Sequence, residues 1–154
     1  MIAQGVDILL VEDNSSDVDL TLHALRHNGV ANRICVVRGG EEALKFIFCR
    51  ESSHERTGKP APQIVLLDST LPKVDAAEVL RQIKNDERTR LIPVVILTSF
   101  NEDRESIKVR YAKATGLIHK PVDFAQFRAL IAQLGLYWLV VNEPSLFEQS
   151  QSVS

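Results

Sequence analysis

Residues 63–75 read QIVLLDSTLPKVD. Ile64 to Leu67 form an unbroken apolar run that stops at Asp68, and Leu71-Pro72 follow almost at once. A strand apolar at every position suits a sheet covered on both faces, whereas a sheet with one wet face would alternate. The run therefore predicts a central strand of a layered α/β fold. Its abrupt end in a carboxylate puts a charge at the strand's carboxyl edge, and Leu71-Pro72 then turns the chain.

Four more runs share this character, at residues 7–11, 34–37, 93–97 and 117–118. Helical patterns separate and follow them. Ser15 or Ser16 is the expected cap of a helix carrying Val18, Leu22 and Leu25, with Asn28-Gly29 as its stop. Residues 41–49 place Ala43, Leu44, Ile47 and Phe48 on one face, and residues 75–84 place Val79, Leu80 and Ile83. Residues 102–114 are mostly charged, with a thin stripe of Ile107, Tyr111 and Ala114. Asp123 caps a last helix carrying Phe127, Ile131, Leu134 and Trp138. The order is (βα)5, which implies a doubly wound, parallel five-stranded sheet with right-handed crossovers. The connection at residues 50–62 is long and polar, and residues 148–154 have the composition of a disordered tail.

With 154 residues, 45% of them hydrophobic and 25% charged, the chain can bury one domain-sized core. A net charge of −2 gives no bias toward nucleic acid or membrane, and neither is an expected partner. The first apolar run lacks a basic flank and is too short for a signal peptide, and no stretch is long enough to span a bilayer. Cys35 and Cys49 lack metal-ligand spacing. Reduced thiols and a cytoplasmic location are the expectation.

In an open parallel sheet, ligands bind beyond the carboxyl ends of the strands. Those ends carry Glu12-Asp13, Asp68, Thr98-Ser99 and His119-Lys120-Pro121. Any one of these alone reads as a turn, a cap or a surface charge. Together they gather three carboxylates, a hydroxyl and an ammonium on one edge. Carboxylates so crowded favour protonation unless positive charge intervenes. Lys120 supplies one charge, and a hard divalent cation such as Mg2+ would supply two more through oxygen ligands. Asp68 could then attack phosphorus, with Thr98 and Lys120 placed on the phosphoryl oxygens.

These pieces resemble the receiver domain of two-component response regulators, a flavodoxin-like architecture. The matching stretches are LLVEDN (9–14), GGEEAL (39–44), VLLDSTLPKVD (65–75), PVVILTS (93–99) and HKP (119–121). The resemblance implies that Asp68 is the phosphoacceptor, Thr98 the switch hydroxyl and Lys120 the site lysine, next to a cis Lys120-Pro121 bond. It implies Mg2+ bound by Asp13, Asp68 and the Thr70 carbonyl, with Glu12 acting through water. The donor would be the phosphohistidine of a sensor histidine kinase. The long insertion before the third strand, KPVDF (120–124) and YWLVVNEP (137–144) are similar to the small stand-alone regulators of bacterial phytochromes, so a phytochrome is the candidate kinase. On this reading residues 1–140 form the receiver and 141–154 a partly disordered C-terminal extension. Phosphoryl acceptance and hydrolysis are autocatalytic, so no separate enzyme activity is expected.

Two positions depart from the family pattern. Leu117 stands where receivers carry a switching Tyr or Phe, and Ala76 replaces the usual glycine after LPKVD. The departure at Leu117 suggests output through loop or dimer rearrangement rather than a ring flip. Both departures also motivate an alternative, a degenerate receiver that docks without phosphorylation. An aspartate-nucleophile phosphatase would want an acid at Thr70, and the acidic loop EDNSSD would repel a flavin phosphate. His23 and His27 are one turn apart without a third ligand, which fits a solvated helix face; His119 reads as an edge residue. Phe124, Leu136, Tyr137, Leu139 and Val140 add more apolar surface than one helix buries, which predicts a homodimer through the last helix and its extension, with the fourth helix.

Overall fold

The computed structural model describes residues 7–27, 33–52, 61–99 and 103–135. Within them the order is β1 (Ile8–Val11), α1 (Ser15–His27), β2 (Ile34–Val37), α2 (Gly40–Ser52), β3 (Ile64–Asp68), α3 (Ala76–Lys84), β4 (Val94–Thr98), α4 (Arg104–Arg110), β5 (Gly116–His119) and α5 (Phe124–Leu134). The five strands form one sheet in the order β2-β1-β3-β4-β5, and every pair is parallel. No helix among the described residues is long and apolar enough to cross a membrane.

Side chains alternate across a strand, so each central strand feeds two cores. Leu9, Val11, Val65, Leu67, Val94 and Ile96 face α2, α3 and α4, meeting Ala43, Ile47, Val79, Ile83, Ile107 and Tyr111. Ile8, Leu10, Ile64, Leu66, Val95 and Leu97 face α1 and α5, meeting Val18, Leu25, Phe127 and Ile131. This is why β1, β3 and β4 are apolar at every core position. The edge strands β2 and β5 are only partly buried.

Several local expectations change. The cap of α1 is Asn14, whose Oδ1 accepts from the Asp17 N–H at 2.9 Å; Ser15 instead accepts a bond from Arg38 at 3.0 Å. Neither Ser15 nor Ser16 is the cap. The charged fourth helix is shorter than its pattern, running only from Arg104 to Arg110 with Asp103 as cap. Tyr111 leaves helical geometry because the chain is already tied to β4: Thr115 N–H donates to Val94 O at 2.7 Å, and Thr115 Oγ1 accepts from Val94 N–H at 3.0 Å. Ile107 and Tyr111 are nevertheless buried as the stripe predicts. Asp75 and Asp123 cap α3 and α5. Asp75 also pairs with Arg110, joining α3 to α4. Helix α5 stops at Gly135, which is left-handed at φ 73°. Phe124 packs against the α1–α5 core rather than standing free. Asn28-Gly29, Glu102, Trp138 and the rest of residues 136–154 lie outside the described residues.

Two backbone positions govern the loops beside the sheet's carboxyl edge. A Cβ on Gly40, at the start of α2, would stand 2.8 Å from Val74 O and 2.8 Å from Val79 Cγ2. Only a hydrogen lets α2 approach the entry to α3 so closely. The left-handed step in the β3–α3 loop falls on Lys73, at φ 63°, and not on Ala76. Gly40→Ala is expected to lower stability by about 1–3 kcal/mol through overpacking. Gly39→Ala, with nothing within 4 Å, should be near neutral in the same urea titration. Lys73→Gly should raise stability by about 0.5–1 kcal/mol by relieving the Cβ clash.

Candidate functional site

The carboxyl ends of β1, β3, β4 and β5 meet at one edge. The register sets their order: Val11 pairs with Leu67, Asp68 with Leu97, and Thr98 with His119. Each strand therefore delivers its first polar residue just beyond the last apolar pair.

At the centre, Asp68 is 1% exposed and Glu12 also 1%, while the Lys120 side chain keeps 13%. Lys120 Nζ stands 2.7 Å from Asp68 Oδ1 as an ion pair. It donates to Glu12 Oε1 at 3.3 Å and to Asp17 Oδ2 at 2.8 Å. Lys120-Pro121 is cis, as expected, and Lys120 N–H bonds Thr98 O at 2.6 Å. The other Asp68 oxygen, Oδ2, accepts from the Thr70 hydroxyl at 2.9 Å. Thr98, 1% exposed, has its Oγ1 3.0 Å from His119 Nδ1.

One ammonium thus serves three carboxylates, two of them buried. Burial, then the charge of Asp68, pushes the Glu12 carboxyl up to about 7. For Lys120, burial acts to lower the pKa, but the bonds to Asp17 and Asp68 and the charges of Asp68 and Glu12 outweigh it and raise it above the ordinary lysine value. The cluster holds more negative charge than its lysine balances, and all its donor atoms are oxygen. Among the described residues, no three His, Cys, Asp or Glu side chains converge tightly enough to enclose a metal by themselves. That arrangement fits a hard cation that keeps much of its water, as Mg2+ does.

The structure brings Glu12, Asp68 and Lys120 into direct contact, while Asp13 lies at the rim. Asp13 is exposed and lines an adjoining cavity of about 340 Å³ with Arg38, Gly39, Glu42 and Lys73. Ser99 does not cap α4, since Asp103 does. His23 and His27 stack at 4.9 Å on the exposed face of α1. Sequence reasoning missed Asp17, which sits in the first turn of α1 and reaches Lys120. It saw only the carbonyl of Thr70, and read His119 as an edge residue. The signal for Asp17 was its place in the first turn of the helix that follows Glu12-Asp13.

A family model described as "Response regulator receiver domain" matches residues 8–132. The probable methanogenesis regulatory protein FilR2 of Methanothrix harundinacea is 39% identical over 135 residues, spanning 88% of this chain and 84% of its own length. The solved bacteriophytochrome response regulator AtBRR superposes with a TM-score of 0.78 at 43% identity, covering 91% of this chain and 99% of that one. The Mn2+-bound form of response regulator Rcp1 superposes with a TM-score of 0.64 at 28% identity, covering 88% and 96%. With the acidic edge, the site lysine and the doubly wound sheet already in place, this chain belongs to the response regulator receiver family.

Proposed function

We propose that the chain accepts a phosphoryl group on Asp68 from the phosphohistidine of a partner histidine kinase and signals by docking or by passing the group on. The observation that carries this reading is the Lys120 ammonium 2.7 Å from a buried Asp68 carboxylate at the end of β3. A structural aspartate gains nothing from being buried beside a second carboxylate, whereas a nucleophile gains orientation and a cation in waiting.

In the transfer, the P–N bond to the kinase imidazole breaks and an O–P bond to Asp68 forms. The imidazole leaves with the electron pair. Lys120, already on Asp68, and Thr98, at the neighbouring strand end, would bind the new phosphoryl oxygens. The Thr70 hydroxyl holds Asp68 Oδ2 and orients the carboxylate. Mg2+, held by Asp13, Asp68 and the Thr70 carbonyl, with Glu12 through water, would neutralise the carboxylates and the incoming phosphoryl group. The Mn2+ reported for Rcp1 supports this. Hydrolysis of the acyl phosphate returns Asp68 and inorganic phosphate, with no other turnover. The likeness to AtBRR supports a phytochrome as kinase, and a cytoplasmic location belongs to the same proposal. Self-association through α5 and the segment beyond it belongs to the same reading.

Incubation with a small-molecule phosphodonor and Mg2+ should add one phosphoryl mass to the intact chain, absent in Asp68→Asn and without metal. An unchanged mass under every condition would leave the degenerate docking module as the reading. Millimolar Mg2+ should raise the melting temperature of the wild type and have less effect on Asp13→Asn, since a ligand bound only by the folded state stabilises it. Lys120→Met should cost about 3 kcal/mol in urea denaturation, because it strands two buried carboxylates, and should recover part of that with Mg2+. A dimer mass by light scattering is expected at micromolar protein; a monomer mass would remove the self-association.

A further inference from the structure

We propose that Thr98 and His119 form the switching pair of this chain: at rest the Thr98 hydroxyl donates its single hydrogen bond to His119 Nδ1, and a phosphoryl group on Asp68 draws that hydrogen bond to itself. The inference rests on the phosphoacceptor reading of Asp68.

The contact is built by the sheet. Thr98 and His119 are register partners across β4 and β5, so their side chains leave the same face. Thr98 Oγ1 and His119 Nδ1 are 3.0 Å apart, with Thr98 1% exposed. A threonine hydroxyl has one proton and two lone pairs. Were Nδ1 the donor, the hydroxyl proton would have to find another acceptor in the interior, where polar hydrogens are seldom left unmatched. With Nδ1 as acceptor the hydroxyl is satisfied. This selects the imidazole tautomer that carries its proton on Nε2.

Thr98 stands at the same strand edge as Asp68, one register step past the Asp68–Leu97 pair. A phosphoryl group there presents charged oxygens, which outcompete a neutral imidazole for one proton. The hydroxyl turns without losing its proton, and His119 Nδ1 is released to accept from another donor. Leu117 lies two residues earlier on the same face of β5, 40% exposed and with no polar group to answer the change. The ring that responds is therefore at 119 and not at 117.

The test uses the full chain with 15N-labelled histidine at pH 8, in long-range imidazole spectra before and after beryllofluoride and Mg2+. His119→Asn identifies the resonances among the four histidines. At rest Nδ1 should be unprotonated and hydrogen-bonded, and it should shift when a bound 19F signal appears. His119→Ala removes the rival acceptor, so beryllofluoride should bind about two- to tenfold more tightly, the worth of one net hydrogen bond. His119→Asn, whose Oδ1 replaces Nδ1 as acceptor, should stay within about twofold of wild type. A merely structural histidine would weaken binding in both variants and so overturn the proposal. A protonated Nδ1 at rest, or unmoved resonances with beryllofluoride bound, would overturn it while leaving Asp68 as phosphoacceptor. Absence of both bound 19F signal and phosphoryl adduct would overturn the proposal together with the reading beneath it.

Discussion

The contact of one ammonium with three carboxylates organises this end of the molecule. Lys120 touches Glu12, Asp17 and Asp68 from the loop after β5, and so ties the last strand to β1, α1 and β3. The pairing leaves excess negative charge in a buried place, which costs stability. The apolar strands offset that cost. Ile64, Val65, Leu66, Leu67, Val94, Val95, Ile96 and Leu97 are all fully buried, so the centre of the sheet is held by packing and not by its polar edge. The edge is thus free to be tuned for chemistry.

Parallel pairing makes such an edge possible. In an antiparallel sheet adjacent strands would end on opposite sides and the charges would be scattered. Here four strands terminate together, and the crossovers leave the loops after β1, β3, β4 and β5 as neighbours. The price of crowding appears in the loop backbone. Lys73 occupies a left-handed conformation beside the cavity that Asp13 lines. Gly40 lines the same cavity and approaches Val74 too closely for a side chain. A lysine retained where glycine would be easier leaves a cation at the rim of an acidic site.

What could be read from the sequence followed from burial. The run from Ile64 to Leu67 is apolar because helices cover both its faces, so its central place and its terminal Asp68 were legible together. Asp123 was legible as a cap because a carboxylate before an apolar helix has few other uses, whereas Asp75 read as the first residue of its helical pattern and proved to be the cap. The length of α4 was not, since a charged segment with a thin stripe has no sharp end, and the bond from Thr115 to Val94 that stops it is tertiary. The cap of α1 moved to Asn14 because three neighbouring residues could each fill the position. Asp17 escaped because its value depends on the direction in which α1 leaves β1. The role of His119 needed the β4–β5 register, which no single strand contains.

That register also bears on the absence of an aromatic ring at Leu117. A residue on β5 can sense the proposed phosphorylation site only through a group that the site itself moves. Lys120 is too heavily bonded to be that group, with three carboxylates in contact. Asp68, the proposed acceptor, keeps its place in the strand. Thr98 stands at the end of β4 with a single rotatable proton, and its partner on β5 is His119. Substituting Leu117 for a ring therefore leaves the path from β4 to β5 intact, because the path begins with the Thr98 proton and its first acceptor is two residues further along the same face.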